Sequence, residues 1–158
     1  MKTSNYLLLF AISIVFVGCA GMMRQPLPVS ERTTSYSFNS NKKRLELYQA
    51  AKFWLPTAFK SNGQIIQAED KDTGKISGTG YIPCKELPGS SMANQFIEFQ
   101  YLVNSSDKKL DIKFSNQRIF VPEDTYATKD DNIYNDKSQI SGVKSCLDQL
   151  SNSLKDSI

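Results

Sequence analysis

The sequence predicts an α+β domain built on an antiparallel sheet of about five strands, with two helices on one face. Three observations point there. Two segments carry apolar residues at three- and four-residue spacing, the pattern of a helix with one buried stripe. Five other runs read as strands, four of them with the alternation that gives one buried face. The elements follow in the order strand, helix, four strands, helix, which suits sequential hairpins covered on one side.

Residues 1–18 stand apart from that pattern. Lys2 is their only charge, and Tyr6 to Val17 is apolar except for Ser13. As a helix this 12-residue run spans about 18 Å, against a hydrocarbon core of about 30 Å. A basic start, a short apolar run and small residues after it form the pattern of a secretory signal. A buried core helix would need a polar face, and the run has none. Phe16-Val17-Gly18-Cys19-Ala20 resembles the lipobox of bacterial lipoproteins, although Phe16 stands where leucine is usual and Val17 where alanine or serine is. The resemblance implies cleavage after Gly18, a diacylglycerol on the Cys19 thiol and acylation of the new amino group. Ala20 stands where an aspartate would mark retention in the inner membrane, so the resemblance favours the outer membrane. The alternative is a secreted protein without lipid. Loss of Lys2 lowers the formal charge from +3 to +2, too little to call for a polyanionic partner.

Residues 19–33 read as the lipidated cysteine and a tether. Two prolines and mixed polarity give the 14 residues after Cys19 no period, and at ~3.3 Å each they reach at most about 46 Å. The domain is expected over 34–158. Thr34 to Phe38 alternates Tyr36 and Phe38 with polar residues, a short first strand. Asn39, Ser40 and Asn41 suit a helix cap. A helix of about 17 residues follows, with Leu45, Tyr48, Lys52, Leu55 and Phe59 on its stripe and Leu47, Ala51, Trp54 and Ala58 beside it. Pro56 removes a donor near its end, and Ser61-Asn62-Gly63 stops it.

Gln64 to Ala68 and Lys75 to Ile82 form a hairpin around an acidic, glycine-ended loop. Ile76, Gly78, Gly80 and Ile82 share a face, so the two glycines open a trough that a helix could enter. Asn94 to Val103 and Lys109 to Val121 are longer strands joined through Ser105-Ser106-Asp107-Lys108. Their inward residues are Ile97, Phe99, Tyr101 and Val103 on one, and Leu110, Ile112 and Phe114 on the other. Residues 122–140 have no period, which makes them a long loop, either functional or mobile. Gly142 to Ile158 is the second helix, with Val143, Cys146, Leu147, Leu150 and Leu154 on its stripe.

These elements carry a resemblance. Leu45 to Leu55, Phe59-Lys60-Ser61, Ile65 to Lys71, Thr73 to Gly80 and Asp107 to Phe114 look like the uncharacterised bacterial domain with a fold like the TATA-box-binding protein (TBP-like). The resemblance covers about residues 34–157, is strongest in the first half and weakest after Val121. It implies the fold and brings no activity, cofactor or catalytic residue. It also makes no case for nucleic acid, since one fold hosts many functions and an exported chain is kept from the chromosome.

Function is otherwise bounded by what the chain lacks. There is no histidine, which excludes histidine-activated nucleophiles and most transition-metal sites. With Cys19 acylated, Cys84 and Cys146 remain as a pair in an oxidising compartment. A bridge between them would close a loop of roughly 60 residues and add about 4 kcal/mol; the alternative is two buried thiols. Asp70, Asp72 and Gly74 hint at a calcium loop, but Lys75 and Tyr81 stand where its glycine and glutamate are required. Ser141 and Lys144 have dyad spacing without the companion motifs of the penicillin-recognising enzymes, and Ser141 serves well as an N-cap. Gly74, Gly78 and Gly80 lack phosphate-loop spacing.

Lys42-Lys43-Arg44 could face anionic headgroups or simply be solvated, and Glu123, Asp124, Asp130, Asp131 and Asp136 could draw a cation or remain a solvated loop. No metal or other cofactor is expected. Phe53 and Trp54 cannot both face the core equally, so with Pro56 they mark a possible partner surface; the alternative is core packing. The expected protein is an outer-membrane lipoprotein facing the periplasm, held there by Cys19, whose small non-enzymatic domain binds a protein or peptidoglycan partner or aids assembly. The alternatives are an immunity or inhibitor protein against an envelope toxin or enzyme, and a Ser-Lys or carboxylate hydrolase.

Overall fold

A computed structural model of the chain describes residues 27–87, 95–120 and 137–158. Strand β1 (Thr34–Asn39) leads into helix α1 (Arg44–Ala58). Four strands follow, β2 (Ile66–Asp70), β3 (Lys75–Pro83), β4 (Phe96–Ser106) and β5 (Lys109–Phe120), and helix α2 (Lys137–Ser157) closes the chain. The sheet order is β1-β5-β4-β3-β2, every neighbouring pair antiparallel. β2 to β5 thus form a meander, and β1 completes the sheet beside β5 with Thr34 opposite Phe114 and Asn39 opposite Lys109. Both helices lie on one face, the α+β arrangement that the alternation predicts.

The alternating residues explain why that face is covered. Ile76 and Ile82 of β3, Ile97, Phe99, Tyr101 and Val103 of β4, and Leu110, Ile112 and Phe114 of β5 are all buried beneath the helices. Leu47, Tyr48, Ala51, Trp54 and Leu55 of α1 and Val143, Cys146, Leu147 and Leu154 of α2 complete the core. Phe59, just past α1, sits at its centre with ring centroids 5.2 Å from Trp54, 5.1 Å from Phe99 and 5.2 Å from Tyr101.

The glycine trough is filled by the chain that follows α1, instead of by helix backbone. A Cβ on Gly80 would come within 3.0 Å of Phe59, and one on Gly78 would lie 1.9 Å from the Ile65 carbonyl oxygen. The approach that only glycine permits holds the end of α1 against β3. Lys60 and Tyr81 add a two-way backbone bridge, N–H to carbonyl at 3.0 and 2.8 Å.

Several elements depart from the sequence expectation for identifiable reasons. The buried stripe of α1 centres on Leu47, Ala51, Trp54 and Leu55, while Leu45 is exposed and Lys52 is directed to Glu69. The helix begins at Arg44, beyond the expected Asn39-Asn41 cap. Asp107, from the distant β4–β5 turn, accepts the Arg44 N–H at 2.9 Å, and Glu46 accepts the Lys43 N–H at 2.8 Å. Lys43 has no acceptor atom in its side chain, so the free N–H groups of the first turn are met from elsewhere. Pro56 stays inside the helix, because the only carbonyl it deprives of a donor is that of half-exposed Lys52.

The β4–β5 connection tightens to Asp107-Lys108, with Lys108 at φ 64°. Past Phe114 the alternation slips: Asn116 adopts φ 52°, and Gln117 and Ile119 turn inward. The register with β4 shifts between Glu98 and Gln100 at the same level, a bulge no alternation rule foresees. Buried Gln117 is satisfied by donating to the Phe114 carbonyl at 3.2 Å and the Thr34 hydroxyl at 3.0 Å.

Helix α2 starts five residues ahead of Gly142, so Ser141 lies within the helix and is not its cap, and residues 137–140 are helical and not part of a loop. Gly142 lies inside the helix where a Cβ would come within 2.7 Å of the Glu86 carbonyl oxygen. Close contact with the chain after β3 therefore requires the residue that usually ends a helix. Cys84 and Cys146 are joined there as a disulfide with Cα atoms 5.8 Å apart, 62 residues apart in sequence. Upstream, part of the expected tether is folded: Val29–Arg32 is a 3-10 turn, and Leu27 packs partly against the core. The apolar run, Cys19 and the acids between Glu123 and Asp136 lie outside the described residues.

Candidate functional site

The outer side of α1 is the surface where the sequence placed a partner. Side chains three and four apart line up on a helix, and Leu45, Gln49, Phe53 and Pro56 form the row opposite the buried stripe. Phe53 is 78 % exposed and Leu45 41 %, which makes them two of the three large apolar side chains exposed among the described residues. Trp54, the expected companion of Phe53, is buried, and its indole N–H donates to the Ser153 hydroxyl of α2 at 3.1 Å. The predicted trio therefore divides: Phe53 and Pro56 are at the surface, and Trp54 locks the two helices together.

A groove of about 470 Å³ adjoins Phe53, lined by Tyr48, Gln49, Lys52, Glu69 and Lys71. Its floor is a polar link between α1 and β2. The Tyr48 hydroxyl donates to Glu69 Oε2 at 2.7 Å, and the Lys52 ammonium meets the same oxygen at 2.6 Å. Lys52 and Tyr48, in that order, hold the Glu69 carboxyl below its ordinary pKa. Burial and then the Glu69 carboxylate push the Tyr48 phenol up to about 12. Sequence reasoning missed Leu45, Gln49, Lys52 and Glu69 here. The spacing of 45, 49, 53 and 56 carried the signal for the row, but nothing in the sequence brings β2 beside α1.

A second groove, of about 600 Å³, lies between β1 and α2, bordered by Tyr36, Phe38, Asp148, Ser151, Asn152 and Lys155. The Tyr36 hydroxyl donates to Asp148 Oδ1 at 2.7 Å, and Lys144 donates to both Asp148 oxygens at 3.0 and 2.8 Å. Those two partners, Lys144 first, depress the Asp148 pKa, while burial and the Asp148 hydrogen bond raise that of Tyr36. Lys144 is thus an exposed ammonium paired with a carboxylate, which is the opposite of the desolvated lysine a Ser-Lys mechanism needs.

The remaining candidates have structural work. Asp70 Oδ1 accepts the Asp72 and Thr73 N–H groups at 2.9 and 3.1 Å, and Oδ2 accepts the Thr73 hydroxyl at 2.7 Å. Asp70 therefore shapes a turn, and among the described residues no three cysteine or acidic side chains converge as metal ligands. Of the basic cluster, Lys42 and Lys43 are exposed, whereas Arg44 lies along Gly74 and donates to the carbonyls of Lys71 and Asp72. On the sheet face opposite the helices, Tyr81, Phe96 and Phe120 pack ring to ring at 5.5–5.6 Å.

The geometry defines a class: an α+β domain with a five-stranded antiparallel sheet, two helices over one face, a single disulfide among the described residues and surface grooves beside each edge strand. The chain belongs to the family described as a domain of unknown function (DUF4468) with TBP-like fold, whose family model matches residues 34–120. None of the curated proteins matches the sequence. Among solved structures, the chain is similar to a DUF4468 family protein from Bacteroides ovatus ATCC 8483, at 16 % identity and a TM-score of 0.54, over 81 % of this chain and 85 % of that one. It is also similar to a TBP-like protein from Parabacteroides distasonis ATCC 8503, at 15 % identity and a TM-score of 0.58, over 79 % of this chain and 90 % of that one. At such identities the likeness is one of fold.

Proposed function

We propose that the protein is an outer-membrane lipoprotein, anchored through Cys19 and facing the periplasm, whose domain is a non-enzymatic binding or assembly module for a protein or peptidoglycan partner. The observation that carries the binding role is Phe53. A phenylalanine left 78 % exposed on a helix whose other face is well packed forgoes about 2 kcal/mol of burial, which a partner can recover. Leu45 and Pro56 extend the apolar row, and Lys52, Glu69 and Lys71 supply a polar rim beside it. The anchor rests on the apolar run ending at Gly18-Cys19.

Crosslinking in intact membranes, followed by purification of the full chain, tests both parts. The wild type recovers a defined partner, and Phe53→Glu loses it while melting at an unchanged temperature, because an exposed side chain contributes little to stability. Cys19→Ser releases the chain from the membrane fraction and ends labelling by radioactive palmitate. Equal recovery of the partner with Phe53→Glu would remove α1 as the binding surface, and palmitate-free wild-type protein would remove the anchor.

A further inference from the structure

The chain reaches the sheet at one particular end. β1 is antiparallel to β5 and opens with Thr34 opposite Phe114, so the residues before it run toward the Phe120 end, where Val29–Arg32 lies beside β5 and Leu27 packs against the core. Pro83, Phe96 and Phe120 sit side by side at that end. Residues 20–26 separate Cys19 from Leu27, and eight residue steps of at most ~3.6 Å reach about 29 Å. β5, with 12 residues at ~3.3 Å each, is about 40 Å long. A domain anchored at Cys19 therefore cannot stand on the far end of the sheet, where exposed Lys42 accepts the backbone N–H of exposed Lys108 through its carbonyl. The end that takes in the tether faces the membrane.

That end also holds the apolar part of a mostly polar face. On the side opposite the helices, half-buried Tyr81, Phe96 and Phe120 pack with ring centroids 5.5–5.6 Å apart. Beside Tyr81 lies the ion pair of Glu98 and Arg118, and beyond it come Thr79, Gln100 and Ser115. Leu102 is the one large apolar side chain exposed farther along this face among the described residues. Rings at the rim, a phenol and an ion pair behind them and polar groups beyond follow the polarity gradient of a lipid–water interface, where aromatic side chains gather at headgroup depth. Exposed Lys60, bridged through its backbone to Tyr81, adds an ammonium at the same level, where anionic headgroups attract it.

We propose that the Tyr81, Phe96 and Phe120 cluster is the seat by which the domain rests on the lipid bilayer that holds its anchor. The proposal rests on the anchor at Cys19 and goes beyond it by fixing which side of the domain meets lipid. Three half-buried rings hold a membrane weakly by themselves, and the short tether keeps them at high effective concentration beside it. Seated there, the sheet tilts toward its ring face. The outer row of α1, on the opposite layer, then turns away from the bilayer and stays open to a partner.

The test uses the full lipidated chain in vesicles of phosphatidylethanolamine and phosphatidylglycerol. With Cys19 acylated and Cys84 bonded to Cys146, an added cysteine is the one free thiol for a polarity-sensitive dye. Pro83→Cys places it on the exposed rim of the ring face, opposite Phe96, and Lys108→Cys places it at the far end. On vesicles the dye at 83 is expected to shift to the blue and to be quenched by nitroxide-bearing lipid, and the dye at 108 to do neither. Adding Phe120→Glu to Pro83→Cys should cut that quenching about tenfold, with the melting transition retained and the chain still in the vesicle fraction, since a charge replaces an apolar ring. A dye at 83 that stays in water on the anchored chain overturns the proposal, as does equal quenching at both positions. So does a Cys19→Ser variant whose dye at 83 is already shifted without vesicles, because the rest of the chain then covers the rings. A wild type free of palmitate removes the anchor and the seat together, and the missing label tells that result from a failure of the seat alone.

Discussion

The two edges of the sheet are tied to the helices by the same chemistry and stabilised by different physics. At each edge a tyrosine hydroxyl and a lysine ammonium converge on one carboxylate: Tyr36 and Lys144 on Asp148 at the β1 edge, Tyr48 and Lys52 on Glu69 at the β2 edge. On the β1 side the link joins an edge held by rings, since Tyr36 stands edge-on to Phe114 at 6.1 Å, and α2 above it is pinned by the disulfide. On the β2 side the strand itself buries almost nothing, and its place depends on backbone approach at Gly78 and on the turn built by Asp70. Polar links of this kind position elements, and burial or covalent closure supplies most of their stability.

The largest way to break that contrast is to remove the disulfide. Cys84→Ser with Cys146→Ala should lower unfolding free energy by about 4 kcal/mol in a denaturant titration, because the unfolded chain regains the loop it had lost. Hydrogen exchange in the variant should rise first in α2 and β1, with β3 and β4 still protected. Uniform loss of protection across the sheet would show that the bridge serves the whole core instead of one side.

Gly78→Ala attacks the opposite side. Its new methyl would overlap the Ile65 carbonyl, which is backbone and cannot swing away as a side chain could, so a loss of about 3 kcal/mol is expected by thermal melting. Gly63→Ala, where a Cβ meets nothing within 4 Å, is the matched control and should change stability by less than about 1 kcal/mol.

The smallest effects distinguish the two polar links. Tyr36→Phe and Tyr48→Phe each delete one hydrogen bond to a carboxylate and should cost about 1 kcal/mol apiece, at the low end because both carboxylates are near water. Acid should weaken both links. Asp148 and Glu69 have folded pKa values below their unfolded ones, so their contribution is present above the unfolded values, near 4, and fades as pH falls through the folded values. Tyr48 acts in the other direction: its folded pKa of about 12 lies above the unfolded value near 10, so its contribution is complete below pH 10 and is lost as pH rises toward 12. Melting temperatures measured from pH 2 to 7 should fall at the acid end in the wild type, and less steeply in Asp148→Asn. An identical acid slope in that variant would mean that other carboxylates control it.

Much of the fold could be read from local pattern. Period-two alternation in 76–82, 97–103 and 110–114 identified the buried face of three strands, and the stripe at 143, 146, 147 and 154 identified the inner side of α2. The pattern failed where a neighbour outweighs it: at Asn116, where a bulge reverses the faces, and at Gly142, where contact with Glu86 keeps a glycine inside a helix. It also failed at the start of α1, whose first N–H is met by Asp107 from another hairpin. The candidate site was half legible. Neighbouring residues on a helix lie about 100° apart, so the sequence suggested that Phe53 and Trp54 face the core unequally and did not say which would be exposed.

Which one it is depended on α2, whose Ser153 hydroxyl accepts the N–H of the buried Trp54. By itself, then, the sequence determined the number and order of the strands and long helices, the buried face of β3, β4, the first half of β5 and α2, and the absence of histidine chemistry, because those follow from side-chain period and composition. The tertiary structure alone decided that β1 joins β5, that one sheet edge is charged and bulged while the other is plain, and that Glu69 and Asp148 become the matching links. These depend on pairings between residues far apart in the chain, for which a local period holds no information.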